Sequence, residues 1–500
     1  MEATQGRERL WWWAAVGGLA LAGLALRIAA AHGGLWTDEA WSVIYAAQAR
    51  DPIGVFLRIN HDNNHHLYSL WLQAIGPAAA PLLARAPAIA AGTLCIIVAA
   101  LLAGRRSRLA GLVAALLFAV SPILVALGSE ARGYAMMLLA ALMMLLLVSD
   151  AIDGHAARGA RWWLAALALF GMFSHLTMAA PVGIATLWFY FERRISDGPA
   201  AAMPATFRLM GAALGAAAGA VLFVFLAAMA SPTGMRVGGY EPFSAARYAI
   251  ALDDLSLWSA GLGSPWPWLV PLFLAAAAVA IARRRPEWLG SRASLYALLI
   301  LAVPLGLGLV RSGNTSFARY YLASAVGLLL FMADWIGRGL SGRTATRAAA
   351  AMLIVTIAGV SLYRDSRLIA LDRGRPAAAL ADMARMSPEG ARIAFAEPRL
   401  KGVVAVAAEQ TGYVARFAGG CAPADFLLAS QMRGTSAPAT VDRCGVTMEA
   451  IDSSVTTPLT GDSWVLYRAE SLQRLEGADS GRAPAAGNRR ISGRAGVAQG

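Results

Sequence analysis

Charge is scarce in this chain. Charged side chains make up 15% of its 500 residues and apolar ones 58%, whereas soluble globular proteins carry about 25% and about 45–50%. The shortage excludes a water-soluble globular fold and predicts a polytopic membrane protein. Lysine is nearly missing too: Lys401 stands alone, so the basic side is arginine. In a soluble protein the net charge of +13 would suggest a nucleic-acid partner. Here the arginines sit in short loops between apolar runs, where they orient a membrane chain, and no nucleic-acid partner is expected. Cysteine is limited to Cys95, Cys421 and Cys444, with no CxxC pair, which argues against a zinc-finger fold. The chain lacks GxxxxGK[ST], GxSxG and HExxH, so neither a nucleotide-driven pump nor those hydrolase sites are indicated. Ionisable residues are rare in the middle of the apolar runs, where a proton- or sodium-coupled transporter would place them.

What the chain does have is length of apolar run. A membrane-crossing helix needs roughly 20 mostly apolar residues. Runs near 11–31, 86–104, 109–127, 134–149, 162–176, 177–191, 209–230, 266–282, 294–310, 320–336 and 348–363 predict a mainly α bundle of about 11 spans. The first run is longer than a signal-peptide core and is expected to be retained. The stretch 67–83, broken by Pro77 and Pro81, is expected to lie against the membrane. Arginines cluster at 7–9, 105–108, 158–161, 193–208, 283–292 and 338–347. The positive-inside rule makes those loops cytoplasmic, with the N-terminus inside and the last segment outside. The predicted organisation is a transmembrane domain over 1–365, whose first outer loop is 32–85. A small extracytoplasmic α/β domain follows over 366–475, with strands near 392–397, 412–417 and 463–467 and a helix near 403–410. A disordered Gly/Ala/Arg/Ser tail is expected over 476–500. Cys421 and Cys444 fall in the outer domain, where a disulfide is permitted; two free thiols are the alternative.

The polar chemistry is concentrated at the outer loops. Asp38 and Glu39 follow the first apolar run, in Leu35-Trp36-Thr37-Asp38-Glu39-Ala40. Thr37 or Asp38 could cap a helix running towards Arg50, which leaves one acid unexplained. A carboxylate at a low-dielectric boundary can serve as a general base. His61-Asp62-Asn63-Asn64-His65-His66 comes next. His61 and His65, at i and i+4, could with Asp62 hold a divalent metal. The same groups suit sugar hydroxyls and phosphate, or a merely solvated loop. Ser129-Glu130-Ala131-Arg132-Gly133-Tyr134 sits between two spans. Its Glu130 and Arg132 could form a local ion pair, or Arg132 could take a lipid phosphate. Arg319-Tyr320-Tyr321 offers either an interfacial anchor or a phosphate contact. His175, at a turn between two runs, reads as structural or as a substrate contact.

These four segments, in this order and on one predicted face, resemble the GT-C membrane glycosyltransferases. The likeness is to the family-39-like group, which includes protein mannosyltransferases and the aminoarabinose transferase that modifies lipid A. The carriers are Leu35 to Ala40, Asn64-His65-His66-Leu67-Tyr68, Ser129 to Tyr134 and Arg319-Tyr320-Tyr321. Histidines replace the prolines of the family's His-Pro-Pro-Leu-Tyr segment. The resemblance implies a polyprenyl-phosphate-linked sugar donor, an envelope glycan, lipid or protein acceptor, and inverting transfer at the outer face of the bacterial inner membrane. It implies Asp38 as base with Glu39 in support. Arg132, Arg319 and Tyr320 are then expected at the donor phosphate. Asp62, Asn64, His65, His66, Tyr68, Glu130 and His175 are expected at substrate. A lipid-linked glycan flippase and a non-catalytic lipid-binding scaffold are the competing expectations.

Overall fold

The computed structural model describes residues 2–469, apart from 62, 232–233, 237–240, 265, 286, 288 and 432–435. Eighteen α-helices and six strands are described. In chain order the helices are α1 (Glu2–Ala30), α2 (Thr37–Gln48), α3 (Pro52–Leu57), α4 (His66–Ile75), α5 (Pro81–Gly104), α6 (Arg108–Val120), α7 (Pro122–Leu127), α8 (Tyr134–Ile152) and α9 (Ala160–Ser174). Next come α10 (Ala179–Asp197), α11 (Pro199–Ala230), α12 (Ala245–Ala260), α13 (Leu269–Arg284), α14 (Arg292–Leu309), α15 (Leu322–Leu340) and α16 (Thr344–Leu371). Among these, α1, α5, α8, α11, α14, α15 and α16 are long and apolar enough to cross a membrane, and α6, α9 and part of α13 are shorter apolar helices. Each expected run except 109–127 falls on one helix, and 177–191 falls on α10, which is not among those long and apolar enough to cross. Large apolar side chains such as Leu222, Phe225 and Leu272 stay exposed, as a lipid-facing surface requires.

Two expectations need correction. The run 109–127 is two helices, because Pro122 forces Ser121 out of the helical region (φ −68°, ψ 118°) and α6 ends there. The stretch 67–83 is a short α4 followed by a turn, and α5 starts at Pro81, which needs no amide donor in a first turn. The expected break at His175 is present. Its backbone is extended, and its ring Nδ1 accepts from the Thr177 amide and so caps the turn into α10.

Beyond α16 the chain forms α17 (Ala378–Met386), β1 (Ala391–Phe395), α18 (Lys401–Thr411), β2 (Ala415–Phe417), β3 (Phe426–Ser430), β4 (Thr440–Arg443), β5 (Val446–Ser454) and β6 (Trp464–Ala469). The sheet order is β2-β1-β3-β6-β5-β4. β1 pairs in parallel with β2 and β3, and the remaining pairings are antiparallel. The expected strands near 392, 415 and 464 and the helix over 403–410 are all present. β3, β4 and β5 were not anticipated; β4 and β5 are largely exposed and polar, which hides the alternation a half-buried strand displays. Cys421 and Cys444 are joined, with Cα atoms 5.7 Å apart, inside the ordinary range for a disulfide. Cys95 is a buried free thiol. The expected tail 476–500 lies outside the described residues.

The sheet domain is fastened to the helix bundle by side chains. Trp41 of α2 donates its indole N–H to the Arg399 carbonyl at 2.8 Å, and its ring lies where a Cβ on Gly402 would come within 2.8 Å. The Arg373 guanidinium, buried just after α16, donates to the carbonyls of Ala30 and Ser129 and to the Ser129 hydroxyl.

Candidate active site

One end of the bundle gathers the turn after α1, the loop 58–65, the loop 128–133, the turn 174–178 and the loop 310–321. The site is built from α2 outward. Trp36 precedes that helix, and its amide donates to Glu39 Oε2 at 3.2 Å. The Thr37 amide donates to Asp462 Oδ2, from the sheet domain, at 2.9 Å. Neither Thr37 nor Asp38 therefore serves as the side-chain cap.

Asp38 and Glu39 point different ways, because neighbours on a helix are about 100° apart. Glu39 is fully buried. It accepts from Arg85 Nε at 2.9 Å and Arg85 Nη2 at 2.6 Å, and from the Ala131 amide at 2.6 Å. Arg85 also donates to the carbonyls of Ala31, His32, Gly33 and Gly34, which pins the turn after α1. Burial pushes the Glu39 pKa up, and the Arg85 guanidinium more than offsets this, leaving the carboxyl below its ordinary value. An acid held ionised and saturated with donors is a positioning group for α2, α5 and the 128–133 loop. It does not touch the space in front of Asp38.

Asp38 faces that space with 27% of its side chain exposed. Its Oδ2 lies 2.9 Å from Arg132 Nη1 and 3.5 Å from Arg319 Nη1. Asn63 ties the group together. Its amide donates to the Asp38 carbonyl and to Ser42 Oγ, and its Oδ1 accepts from Arg132 Nη2 at 2.9 Å. Both guanidinium groups flank the Trp36 ring at 5.9 Å. Arg132 also lies 5.0 Å from the Tyr134 ring, and Arg319 4.7 Å from that of Phe317. Arg319 Nε is buried with no hydrogen-bond partner among the described residues, so donor capacity remains.

Behind Arg132 stands a wall of rings. His175 lies 4.1 Å from Tyr134 and 4.8 Å from His65. Because His175 Nδ1 accepts from the Thr177 amide at 3.2 Å, its proton sits on Nε2. Burial, then the positive charge of Arg132 and Arg319, pushes its pKa down to about 3. His65 is likewise held neutral, by burial first and then by His175 and Arg132. Its Nε2 faces Arg132 Nε at 3.4 Å. Gly133 lets the two loops meet: a Cβ there would lie 1.8 Å from the Ser174 carbonyl oxygen.

Next to this wall a cavity of about 420 Å³ runs between α8, α10, α14 and α15. Leu138, Leu142, Val303 and Val326 are among its apolar lining, whereas Thr177, Asn314 and Tyr320 bring polar groups to it.

The structure thus brings Asp38, Arg132, Arg319, Tyr320, His65 and His175 to one place. Other expected residues turn away. Asn64 spends its amide on the carbonyls of Val55 and Ile59 and accepts from Ser69. Tyr68 is buried and donates to the Ala84 carbonyl. His66 stacks on Phe56 at 5.2 Å, and burial pushes its pKa down to about 4. Glu130 is buried beneath the Thr460 hydroxyl; burial raises its pKa, and the nearby Arg132 and Arg373 only partly oppose this. These four hold the loops and do not face the cavity. Asp62 lies outside the described residues.

Of the expected metal ligands, His61 and His65 are otherwise engaged, and Asp62 lies outside the described residues. His61 stacks on Tyr45 at 4.8 Å and its Nδ1 accepts from the Asn63 amide. His65 presents its Nε2 lone pair to an arginine, which a metal would have to displace. Among the described residues no three His, Cys, Asp or Glu side chains converge on an ion-sized gap. Arg85, Thr177 and Asp462 were not among the expected site residues. Arg85 had a signal: an arginine near the start of an otherwise apolar run asks for a buried partner.

Sequence comparison finds no matching family and no matching curated protein. Structural comparison does find relatives. ArnT from Cupriavidus metallidurans bound to undecaprenyl phosphate superposes with a TM-score of 0.52 at 13% identity, over 91% of this chain and 98% of that one. Its apo state gives 0.50 at 14% identity, over 93% and 99%. The Archaeoglobus fulgidus oligosaccharyltransferase in complex with zinc and sulfate gives 0.49 at 12% identity, over 83% and 68%. The agreement in fold extends over nearly the whole chain, from the helix bundle into the sheet domain. The chain is a membrane protein with the fold of the GT-C glycosyltransferases.

Proposed function

We propose that the chain is an inverting glycosyltransferase that moves a sugar from a polyprenyl-phosphate donor to a hydroxyl of an envelope glycan, lipid or protein. The observation that carries this reading is the convergence of two buried arginines on a partly exposed carboxylate, next to Tyr320 of an apolar cavity. ArnT, the C. metallidurans protein of like fold, holds undecaprenyl phosphate, and a lipid of that class suits the cavity here. Its prenyl chain would lie among Leu138, Leu142 and Val326, and its phosphate would meet Arg132, Arg319 and Tyr320.

The chemistry follows from charge. Asp38 holds both guanidinium groups in this structure. The arriving donor phosphodiester, singly charged like the carboxylate, competes for those forked donors, and its claim on them grows as negative charge builds on the leaving phosphate, which frees the carboxylate. The acceptor oxygen then attacks the anomeric carbon from the face opposite the phosphate. A bond forms from acceptor oxygen to carbon as the carbon–phosphate-oxygen bond breaks. Asp38 takes the acceptor proton, and the leaving electron pair settles on the phosphate held by the arginines. His175, neutral with its proton on Nε2, would donate to a sugar hydroxyl or phosphate oxygen.

The positive-inside pattern supports a site at the extracytoplasmic face of the bacterial inner membrane, with the N-terminus in the cytoplasm and the sheet domain in the periplasm. Residues 1–365 then form the transmembrane domain and 366–475 the periplasmic one. The test is reconstitution of the purified chain in lipid with polyprenyl-phosphate sugars, scored by mass spectrometry for transfer. Comparison of envelope glycans from a deletion strain identifies the sugar and acceptor. Asp38→Asn is expected to cut turnover by about 10²- to 10⁴-fold without loss of folded protein. Wild-type turnover in that variant would falsify the assignment of the base.

A further inference from the structure

The most unusual contact in the molecule joins residues 425 positions apart. Asp462 lies in the loop between β5 and β6, and its carboxylate accepts the amide of Thr37, the residue just before Asp38. That amide is one of the unpaired donors at the start of α2. The Trp36 amide is already taken by Glu39. Asp462 therefore satisfies the donor next to Asp38, and its negative charge also complements the positive end of the helix dipole.

The loop that carries Asp462 is held firmly. Thr456 Oγ1 donates to the Thr460 carbonyl at 2.7 Å, and the Thr456 amide donates to Ser463 Oγ at 3.0 Å. The loop is seated on the turn after α16. The Asp462 amide donates to the Arg373 carbonyl at 3.1 Å, and the Trp464 indole donates to the Gly374 carbonyl at 2.7 Å. Gly461, at φ +93°, and Gly374, at φ +84°, allow this approach; a Cβ on Gly374 would lie 1.8 Å from the Asp462 carbonyl oxygen. From the same loop, the Thr460 hydroxyl donates to Glu130, two residues before Arg132. One loop of the sheet domain thus touches both the segment that carries the proposed base and the segment that carries a proposed phosphate ligand.

We infer that Asp462 is a positioning residue for sugar transfer, setting the direction of Asp38 from the sheet domain, an inference that rests on the transferase reading above. Asp462 is mostly buried and its Oδ2 accepts the Thr37 amide, so its role is assigned to positioning and not to binding the donor. Its loss moves Asp38 relative to the two arginines and leaves the lipid seat intact. The sheet domain is then a working part of the transfer site.

The experiment compares steady-state kinetics of full-length chains in lipid vesicles with a polyprenyl-phosphate sugar, with Asp38→Asn as the inactive reference. Asp462→Ala is expected to lower kcat by about 10- to 100-fold, the usual consequence of a misplaced reacting group. KM for the lipid donor should stay within about twofold, since no ground-state contact is removed. Asp462→Asn, whose amide oxygen can still accept from Thr37, should recover most of the loss. If Asp462→Ala does not yield folded protein, Asp462→Glu carries the test: it keeps the charge, displaces the acceptor by one methylene, and should lower kcat by about 10-fold. Wild-type transfer with unaltered kcat in the Ala or Glu variant overturns the inference alone. A rise in KM with unchanged kcat overturns it too and assigns the residue to binding. Absence of transfer by the wild-type chain overturns the transferase reading and this inference together.

Discussion

At one end of α14 and α15, Arg292 lies 3.5 Å from Asp334, which also accepts from the Tyr296 hydroxyl. Nearby, Arg285 Nη2 donates to both carboxylate oxygens of Glu192 at 2.7 and 2.9 Å. At the other end Arg319, just before α15, and Arg132 meet Asp38. The chemical types match, yet the settings differ. Asp334 and Arg292 are shut away, at 6% and 2% exposure, and neither borders the large cavity. Asp38 is partly open and is shared by two cations, and Tyr320, next to one of them, lines the cavity. A buried arginine–carboxylate pair by itself indicates only that the charges were neutralised in low dielectric. A functional reading needs an acid with an open side and cations with donors to spare. The same contrast separates Asp38 from Glu39, adjacent in sequence and opposite in setting.

The sharpest break in that contrast comes from Glu39. Glu39→Ala leaves Arg85 buried and uncompensated, which costs about 3–5 kcal/mol. The expected outcome is loss of folded protein, read as aggregation on size-exclusion chromatography in detergent. Arg319→Lys retains charge but loses the fork. It is expected to lower kcat/KM for the lipid donor by about 100-fold, with the melting temperature unchanged, if the guanidinium steadies the leaving phosphate as oxyanion donors do. Asp334→Asn, at the opposite end, should invert that pattern. Melting drops by a few degrees, a loss of about 1–3 kcal/mol, while kcat stays at the wild-type value. Equal effects of the Arg319 and Asp334 variants on turnover would erase the distinction between the two ends.

A further effect expected is one of pH. His66 titrates at about 4 in the folded chain and near 6.5 unfolded. A depressed histidine favours proton binding by the unfolded state. The neutral ring's full contribution is therefore present above about pH 6.5 and declines as pH falls towards 4. Melting temperature should fall across that window, and less steeply in His66→Phe, which keeps the stacking on Phe56. A parallel pH dependence in the two proteins would remove His66 from the account.

Much of the helix bundle was legible in the sequence, because lipid accepts only long apolar stretches whose backbone is internally bonded. The arginine pattern was legible as an orientation for the same reason of scale: it repeats from loop to loop. The Asp38–Glu39 pair, Arg132 and Arg319 were legible as candidates. Their division of labour was not, since a one-residue step on α2 separates a partly exposed carboxylate paired with Arg132 and Arg319 from one locked to Arg85. Asn64, His66 and Tyr68 looked like site residues because they share a polar segment with His65. The fold gives them backbone carbonyls and aromatic neighbours instead. Asp462 carried no local signal, standing in a polar loop of the sheet domain.

From sequence alone came a membrane bundle, its predicted direction, and four polar segments to search for chemistry. Those properties depend on composition and period, which each stretch of chain carries within itself. Only the tertiary structure decided that Asp38 meets Arg132 and Arg319, that Glu39 does not, and that a loop 425 residues away closes the amide beside the acid. Such meetings depend on how one helix rotates against another. That rotation is set by packing over the whole bundle, where a turn of 100° exchanges a solvent-facing group for a buried one.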